Sequence, residues 1–381
     1  MSNKVLIVGL GYLGGEILHT LARTDINEIV AACRNEDIGT DMIKATMMGA
    51  TTLGFYPNIT FRRADLNDVR GTTELLKELE PDLICNSADM HPFWRFNVDL
   101  PREIARKIGE GSPAGYSVSL PFRLTLPYKL MKAVKKSGIK THVLITNDPC
   151  EVINPSLEKV GLAPTTGIGD FAHFIEPIRK VVGLKKKIPM REVKVFLIAD
   201  FAVYHLFKRG VVPSESTYFL KVQVDDRNIT KKWKPEEILL EAAEELRPKV
   251  RRGPRADQHY TASMAVGDIL AILKNTGEIR HCPGPSGLVG GYPVRLNSKG
   301  ANVVIPEEIS LEEAIKMNEE AQTYEGIEEI RDDGTVVFTD EAVRIMEEVM
   351  HWDLKQFKVT ECEKVAKELS FVYKELVDRY K

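Results

Sequence analysis

The sequence predicts an α/β protein in which a doubly wound parallel sheet is followed by a second, α+β domain. Three observations lead to this prediction. Strand-like and helix-like segments alternate up to about residue 170, a glycine-rich turn follows the first strand, and beyond about residue 190 the strands have few helices between them. The chain has 381 residues, whereas a single core usually stops growing at about 250–300 residues. We therefore expect two domains, over residues 1–170 and 171–381.

The first predicted domain consists of short apolar strands separated by helices. The strands are expected at residues 4–8, 28–33, 59–63, 83–86 and 141–146. Helices are expected at residues 16–23, 71–79 and 128–137, the last one opened by Pro127 in its first turn and closed by Gly138. Strands that alternate with helices in this way form parallel βαβ units.

The second predicted domain has a different order of elements. Strands are expected at residues 192–198 and 217–224, long helices at 236–246 and 260–275, and a hairpin from 293–296 and 301–305. A further short strand is expected at 335–338, and the tail from Asp340 onward is expected to be helical. This α+β pattern places the domain change near residues 170–190.

Composition excludes several classes of protein. The chain is 43% hydrophobic and 28% charged, which is typical of globular proteins and not of disordered or fibrous ones. Its 52 basic and 55 acidic residues nearly balance, so we expect no nucleic-acid partner. No run reaches the roughly 20 apolar residues that span a bilayer, and the first strand leaves no room for a signal peptide before it. Five scattered cysteines indicate reduced thiols, so a cytoplasmic location is expected.

The strongest motif is Gly9-Leu10-Gly11-Tyr12-Leu13-Gly14, between the first strand and the first helix. In a dinucleotide site, glycines at these three positions permit a tight turn, close approach of a pyrophosphate, and packing of the helix on the strand. The helix start also offers N–H groups and a positive dipole end to phosphates. The motif therefore indicates a Rossmann domain that binds a dinucleotide, and the alternative is a Rossmann-like domain that has lost its ligand.

Residues after the second and third strands bear on the choice of cofactor. An acidic residue at the end of the second strand would favour NAD, but Arg34 stands there, and a guanidinium suits the 2′-phosphate of NADP. NADP is therefore favoured, although Arg34 would also suit stacking on adenine or exposure to solvent, and nearby Glu36 and Asp37 leave NAD possible. Asp65, after the third strand, either bonds the adenine amino group or caps the next helix.

The N-terminal half resembles extended or atypical short-chain dehydrogenase/reductases. The resemblance lies in the glycine turn, Arg34, Asp65-Leu66 and the strand within PDLICNSA, whose Asn86 we assign to the cofactor site. That family uses a Tyr-x-x-x-Lys pair in proton transfer, and Tyr128-x-x-x-Lys132 matches the pattern. The pair precedes the strand at 141–146, whereas the family's pair follows its fifth strand, so an ordinary amphipathic helix is the alternative.

Longer stretches resemble the lactate/malate dehydrogenase superfamily. The segment LITNDP at 144–149 is similar to a family strand that ends in Thr-Asn-Pro, which implies that Asn147 lies near the nicotinamide and the substrate. Segments at 161–169, 260–265 and 290–300 resemble the lead into the substrate-domain helix, the long C-terminal helix and its following hairpin. The resemblance covers most of residues 1–322 and leaves out residues 36–57 and about the last 60.

The expected proton-transfer residues depart from that family. Its catalytic His stands in a His-Gly-Asp triplet, which the equivalent stretch at 198–205 lacks. Its Asp-x-x-Arg pair orients that His and binds the substrate carboxylate, but the corresponding helix here runs from Asp170 to Pro177 and its first cation is Arg179. Three histidines, which titrate near neutral pH, lie in segments that would surround a nicotinamide in the resembling fold. These candidates are His173, His205 and His259, each of which is otherwise a structural or surface histidine.

The sequence thus predicts an NAD(P)-dependent oxidoreductase that acts on a small hydroxy or oxo substrate. Three arginines after the fourth strand suit an anionic substrate, or serve only solubility: Arg95, Arg102 and Arg106. Two alternatives are a nucleotide-binding regulator without turnover and an NAD-dependent glycosidase or epimerase, for which Cys150 is the best-placed cysteine. No metal site is expected, because Cys-x-x-Cys and His-Glu-x-x-His are absent. By analogy with both resembling families we expect a homo-oligomer, either a dimer or a tetramer.

Overall fold

The computed structural model describes residues 3–26, 28–92, 94–230, 233–246 and 258–381. The strands are β1 (Lys4–Val8), β2 (Glu28–Cys33), β3 (Asn58–Arg63), β4 (Leu83–Asn86), β5 (His142–Ile145), β6 (Thr166–Gly167), β7 (Val193–Ala199), β8 (Tyr218–Val224), β9 (Arg227–Asn228), β10 (Ile279–Pro283), β11 (Gly291–Asn297), β12 (Gly300–Val303), β13 (Ile327–Ile330), β14 (Thr335–Phe338) and β15 (Gln356–Lys358). The α-helices are α1 (Tyr12–Leu21), α2 (Glu36–Thr52), α3 (Val69–Leu79), α4 (Trp94–Asp99), α5 (Arg102–Ile108), α6 (Gly115–Ser137), α7 (Cys150–Glu158), α8 (Ile175–Lys186), α9 (Phe201–Lys208), α10 (Pro235–Glu245), α11 (Gln258–Leu273), α12 (Leu311–Gln322), α13 (Asp340–Met350) and α14 (Cys362–Arg379).

Strands β1 to β6 form a parallel sheet in the order β3-β2-β1-β4-β5-β6. In the central strand β1, Val5 to Val8 are buried, as expected for a parallel sheet that helices cover on both faces. The strand order reverses between β1 and β4, where the carboxyl ends of the strands leave a crevice that suits a ligand. The predicted doubly wound sheet is therefore confirmed.

The second sheet is antiparallel and has the order β10-β11-β7-β8-β9, with β12 paired to β11. The predicted hairpin is confirmed as β11 and β12, and Val294 lies opposite Val303. The α+β pattern after residue 190 is thus confirmed. A continuous apolar core includes Leu6 of β1, Val222 of β8 and Leu376 of α14. Because this core crosses residue 170, the division into 1–170 and 171–381 stays a prediction.

The helix predicted at 128–137 is the second half of a much longer one. Helix α6 starts at Gly115 and contains both Pro121 and Pro127, so the prediction that Pro127 lies in the first turn is wrong. A proline inside a helix costs about 3 kcal/mol, but most of α6 is buried, and tertiary packing stabilises buried helices more than propensity does. The carbonyl of Pro121 also accepts a hydrogen bond from Thr125 Oγ1 at 2.7 Å. The helix ends at Gly138, which has a φ of +73°, as predicted.

The tail after Asp340 is not helical throughout. Strand β15 separates α13 from α14 and pairs with β14 in a small sheet of order β13-β14-β15. A three-residue strand is too short for an apolar period to reveal it, and the pairing with β14 buries Phe357. Helix α14 then packs on α6, where Lys129 and Glu363 form an ion pair at 2.9 Å. No helix among the described residues is long and apolar enough to cross a membrane.

Candidate active site

A cleft of about 720 Å³ lies at the carboxyl ends of the parallel strands. One wall comes from the loops that follow β1 to β5. The other wall comes from the 3₁₀ turn Asp170–Phe174, one face of α9 and the start of α11. The residues predicted for the site that line this cleft are Gly9, Leu10, Gly11, Tyr12, Leu13, Arg34, Asp65, Asn147, His173 and His205.

The glycines of the turn between β1 and α1 have different surroundings. Gly9 has a φ of +92°, and a Cβ there would collide with the backbone of Ala88. A Cβ on Gly14 would collide with the Gly9 carbonyl oxygen and the Ser87 hydroxyl. A Cβ on Gly11 would meet no atom of the described residues within 4 Å. The turn thus needs Gly9 and Gly14 for its own packing, whereas Gly11 leaves open space for a ligand.

Helix α1 begins beside this open space. Gly11 is its N-cap, no side chain among the described residues caps it, and its first turn contains no acidic residue. The start of the helix therefore presents backbone N–H groups and the positive end of its dipole toward the cleft. These features fit the pyrophosphate of a dinucleotide.

Arg34 and Asp65 lie in the cleft wall after β2 and β3. Arg34 is exposed and directly precedes Asn35, whose side chain caps α2 by accepting from the Ile38 N–H at 3.1 Å. Asp65 Oδ1 accepts from the backbone and side-chain nitrogens of Asn67, at 3.0 and 3.1 Å. The cap of α3 is instead Asp68, so the alternative that Asp65 caps the next helix is wrong.

Asn86 and Asn147 form a buried pair at the ends of β4 and β5. The Nδ2 of Asn86 donates to Asn147 Oδ1 at 2.8 Å, and the Nδ2 of Asn147 donates to the Ala88 carbonyl at 2.9 Å. Asn147 lines the cleft, whereas Asn86 is fully buried and does not. The structure therefore places Asn86 behind Asn147, where it orients that side chain.

His173 lines the cleft with both ring nitrogens engaged. Its Nδ1 lies 2.8 Å from the Asp170 carbonyl, which only accepts, so Nδ1 carries a proton. Its Nε2 lies 3.0 Å from the Thr261 hydroxyl. These two contacts fix the orientation of the ring.

His259 lies outside the cleft lining. Its Nδ1 is 2.8 Å from Glu16 on α1, and 66% of its side chain is exposed. The structure therefore brings His173 and His205 to one cleft and places His259 on the surface.

His205 and Glu325 form a buried pair at the cleft. Their side chains are 5% and 2% exposed, and Nδ1 of His205 hydrogen-bonds to Oε1 of Glu325. Because a carboxylate accepts, Nδ1 is the donor, and Nε2 is buried without a hydrogen-bond partner among the described residues. His205 lines the cleft. Sequence reasoning missed Glu325, which is 120 residues away and lies beyond the part of the chain that the resemblance covers.

Three further carboxyl groups are buried, on Glu151, Asp170 and Asp200, and Asp200 interacts electrostatically with Glu325. Asp170 accepts from the Cys150 N–H at 2.7 Å, and Asp200 accepts from the Tyr116 hydroxyl at 2.9 Å. Burial raises the pKa of Glu151 well above its usual value, and repulsion from Asp170 and Asp200 adds to the rise. Burial also raises the pKa of Asp170, and that of Asp200 to about 7. Burial therefore favours the protonated form of each of these carboxyl groups.

The other sequence candidates lie elsewhere. Tyr128 and Lys132 do not line the cleft, and the lysine Nζ lies 5.0 Å from the centre of the Tyr128 ring. Burial raises the pKa of the Cys150 thiol well above its usual range, and no metal-binding cluster is present among the described residues. None of the three arginines considered for an anionic substrate lines the cleft: Arg95, Arg102 and Arg106.

Comparisons with known proteins identify the fold. No protein-family model and no curated protein sequence matches the chain. A lactate dehydrogenase from a Medee basin deep-sea metagenome library has a TM-score of 0.58 and 15% identity, over 85% of this chain and 97% of that one. The Cryptosporidium parvum lactate dehydrogenase, complexed with lactic acid and nicotinamide adenine dinucleotide, has a TM-score of 0.57 and 17% identity over the same shares. The Plasmodium falciparum malate dehydrogenase has a TM-score of 0.58 and 14% identity, over 85% and 97%. The chain therefore has the fold of lactate and malate dehydrogenases.

Proposed function

We propose that this chain is an NAD(P)-dependent oxidoreductase that interconverts a hydroxyl and a carbonyl group on a small substrate. One observation carries the proposal: the same cleft is lined both by the start of α1 and by His205. The solved structure with lactic acid and nicotinamide adenine dinucleotide has the same fold and supports a nicotinamide cofactor. Such a cofactor would supply or accept the hydride when bound.

The protein's own share of this reaction is binding and proton transfer. Gly11 and the start of α1 would hold the pyrophosphate, Arg34 a 2′-phosphate, and Asn147 the nicotinamide end. Nε2 of His205 would donate a proton to a carbonyl oxygen or accept one from a hydroxyl. Glu325 holds the opposite ring nitrogen, so its carboxylate stabilises the imidazolium that forms during oxidation.

The test is turnover of NADPH and NADH with a panel of small ketones and 2-oxo acids, in wild type and His205→Gln. We expect the variant to lower kcat by about 10²- to 10⁴-fold, the usual contribution of a general acid or base. Cofactor affinity, measured by calorimetry, should change little because the glycine turn is intact. His259→Gln is the matched control, because its ring lies outside the cleft.

Three outcomes are distinguishable in this experiment. Loss of turnover in His205→Gln alone supports the proposal. Equal losses in both histidine variants would assign the effect to stability. Tight cofactor binding with no turnover of any substrate in the wild type would favour a nucleotide-binding regulator without turnover. The absence of a His-Gly-Asp triplet at 198–205 is consistent with that alternative.

A further inference from the structure

A second, smaller cavity of about 210 Å³ lies between α8, α11 and β10. Among the described residues, none that lines this cavity also lines the cleft. Two arginines and a histidine form part of its wall, namely Arg179 of α8 and the consecutive residues Arg280 and His281 of β10. The function proposed above uses none of these three side chains.

The guanidinium of Arg280 has a fitted seat against α11. Its Nε hydrogen-bonds to the carboxylate of Asp268, whose side chain is 3% exposed. Gly267 lies beside it inside the helix, and a Cβ at that position would collide with the guanidinium. Glycine is a poorer residue than alanine inside a helix. Helix α11 therefore gives up stability at the position where this cation lies.

The outer nitrogens of Arg280 are weakly used within the chain. Nη1 lies 3.4 Å from Glu278 Oε1, and Nη2 lies 3.4 Å from the Met264 carbonyl oxygen. Hydrogen bonds from nitrogen to oxygen are usually 2.7–3.2 Å long. A bound acceptor at normal distance would therefore satisfy these two donors better than the chain does.

The guanidinium of Arg179 is paired only on the outer side of α8. Its Nη1 donates to Glu176 Oε1 at 2.6 Å, and the two side chains are 30% and 45% exposed. Its Nε has no hydrogen-bond partner among the described residues. Exposed ion pairs contribute little to stability, so Arg179 can bind a ligand in place of Glu176 at small cost.

His281 adds a neutral donor to the same wall. Its Nε2 accepts from the Leu197 N–H at 3.3 Å, because a backbone amide only donates. Burial, together with repulsion from Arg179 and Arg280, lowers the pKa of His281 to about 3. The ring is therefore neutral near pH 7 and carries its proton on Nδ1, which has no hydrogen-bond partner in the described part of the chain.

The cavity therefore offers donors more than acceptors. The two carboxylates that line it, on Glu176 and Asp268, each already accept from an arginine. Both guanidiniums act on the same imidazole, so they lie close to one point of the wall. The planar donor fork of arginine matches the oxygens of phosphate. Several donors on two elements suit a tetrahedral group better than a planar carboxylate with its two oxygens.

We propose that this cavity binds a small tetrahedral oxyanion of the phosphate class, held by Arg179, Arg280 and Nδ1 of His281. The proposal does not depend on the reaction in the cleft. The Tyr260 hydroxyl, in the same wall, lies 3.4 Å from the His173 carbonyl oxygen and donates to it. A bound anion would thus join α8, α11 and β10 behind His173, and it would stabilise the folded chain by mass action.

The test is calorimetric titration with inorganic phosphate near neutral pH at constant ionic strength. Because phosphate also suits the start of α1, the variants separate the two places. Arg179→Met should weaken phosphate binding about tenfold or more, since it removes a charge-assisted contact. Gly11→Ala, in the cleft, should leave this binding unchanged, as should Arg191→Met, the control at an exposed arginine. Phosphate should also raise the Tm of the wild type and not that of Arg179→Met.

Gly267→Ala provides a second variant, which keeps every charge and displaces only the Arg280 guanidinium. It should lose phosphate affinity while its circular dichroism at room temperature is unchanged. Methyl phosphate distinguishes the two sources of the anion. Binding as tight as that of phosphate would indicate a phosphorylated small molecule, and much weaker binding would indicate free phosphate.

A crystal soaked in selenate, a tetrahedral anion with an anomalous signal, locates the site directly. A peak within hydrogen-bond distance of Arg179 and Arg280 would support the proposal. A peak at the start of α1 alone would overturn it, as would phosphate binding that is lost in Gly11→Ala and retained in Arg179→Met. Absence of phosphate binding in the millimolar range, or acetate binding as tight as that of phosphate, would also overturn it.

Discussion

At the scale of single residues, the central contact of the candidate site is the buried hydrogen bond between the imidazole of His205 and the carboxylate of Glu325. Glu325 accepts from Nδ1, so under the proposed function Nε2 is the nitrogen that would transfer the proton. Glu325 is itself held in place from α6. The Ser117 hydroxyl donates to the Gly326 carbonyl at 2.8 Å, and a Cβ on Gly115 would come within 2.6 Å of Glu325 Oε2. A side chain larger than hydrogen at position 115 would therefore displace the carboxylate from the ring.

The first residue-scale prediction concerns the cofactor. Arg34→Asp should weaken NADP binding about tenfold or more relative to NAD, because a carboxylate repels a 2′-phosphate and accepts from a 2′-hydroxyl. Calorimetric titration with each dinucleotide measures both affinities. Arg34→Lys is the matched control, which keeps the charge and loses only the planar fork of donors. An equal loss for both dinucleotides in Arg34→Asp would remove the reason for favouring NADP.

The second residue-scale prediction concerns pH and Asp200. Burial raises the pKa of this carboxyl from 3.8 to about 7, so the folded protein keeps a proton there that the unfolded chain releases. The contribution of this carboxyl to the free energy of unfolding should therefore be greatest below about pH 4. It should decline as the pH rises to about 7. The slope approaches ~1.4 kcal/mol per pH unit where the folded protein binds one proton more than the unfolded chain. Asp200→Asn cannot titrate, so its free energy of unfolding should decline less over this range.

Urea denaturation at pH 5 and pH 8 measures the effect, with Asp353→Asn at an exposed position as the control. The amide keeps an oxygen that accepts from Tyr116 and from the Ala202 N–H, as Oδ1 does now. Parallel pH profiles for wild type and Asp200→Asn would contradict the raised pKa.

At the scale of elements, the sequence predicts those whose own residues carry the signal. The apolar runs of β1, β2 and β4 identify these strands with the observed ends, because both faces of a central parallel strand are buried. The sequence does not predict the start of α6 or the strand β15, because both form where residues distant in the sequence bury them. Glu325 escapes it for the same reason, because only the folded chain brings it to His205.

The element-scale prediction compares two glycines of the β1–α1 turn. Gly14→Ala gains up to about 1 kcal/mol of helix propensity, but its methyl group collides with the Gly9 carbonyl and with Ser87. We expect a net loss of about 1–3 kcal/mol, seen as a lower Tm. Gly11→Ala meets no such collision within 4 Å. It should therefore keep its Tm and lose about tenfold or more in dinucleotide affinity, since its methyl group occupies the approach of the pyrophosphate. A Gly11→Ala variant with unchanged affinity would argue against a ligand at this turn.

At the scale of the whole molecule, the C-terminal region is part of the core and of the site. Residues after 322 lie beyond the part of the chain that resembles the lactate/malate dehydrogenase superfamily, yet they supply Glu325 and the helix that covers α6. On α14 the Tyr373 hydroxyl donates to Asp99 at 3.2 Å, and its ring packs edge-on against His91. This packing connects the tail to the segment after β4, which also lines the cleft.

The whole-molecule prediction follows from this shared core. Leu369 of α14 is fully buried in the same apolar core as Leu6 of β1, so Leu369→Ala should cost about 2–5 kcal/mol. Because that core runs through both halves of the chain, urea should unfold the variant in one transition at a lower midpoint, with fluorescence and circular dichroism changing together. Phe371→Ala on the same helix is the control, since the Phe371 side chain is 72% exposed and its removal leaves no cavity. A separate early transition in Leu369→Ala, with the cofactor still bound after it, would instead make the C-terminal region an independent unit.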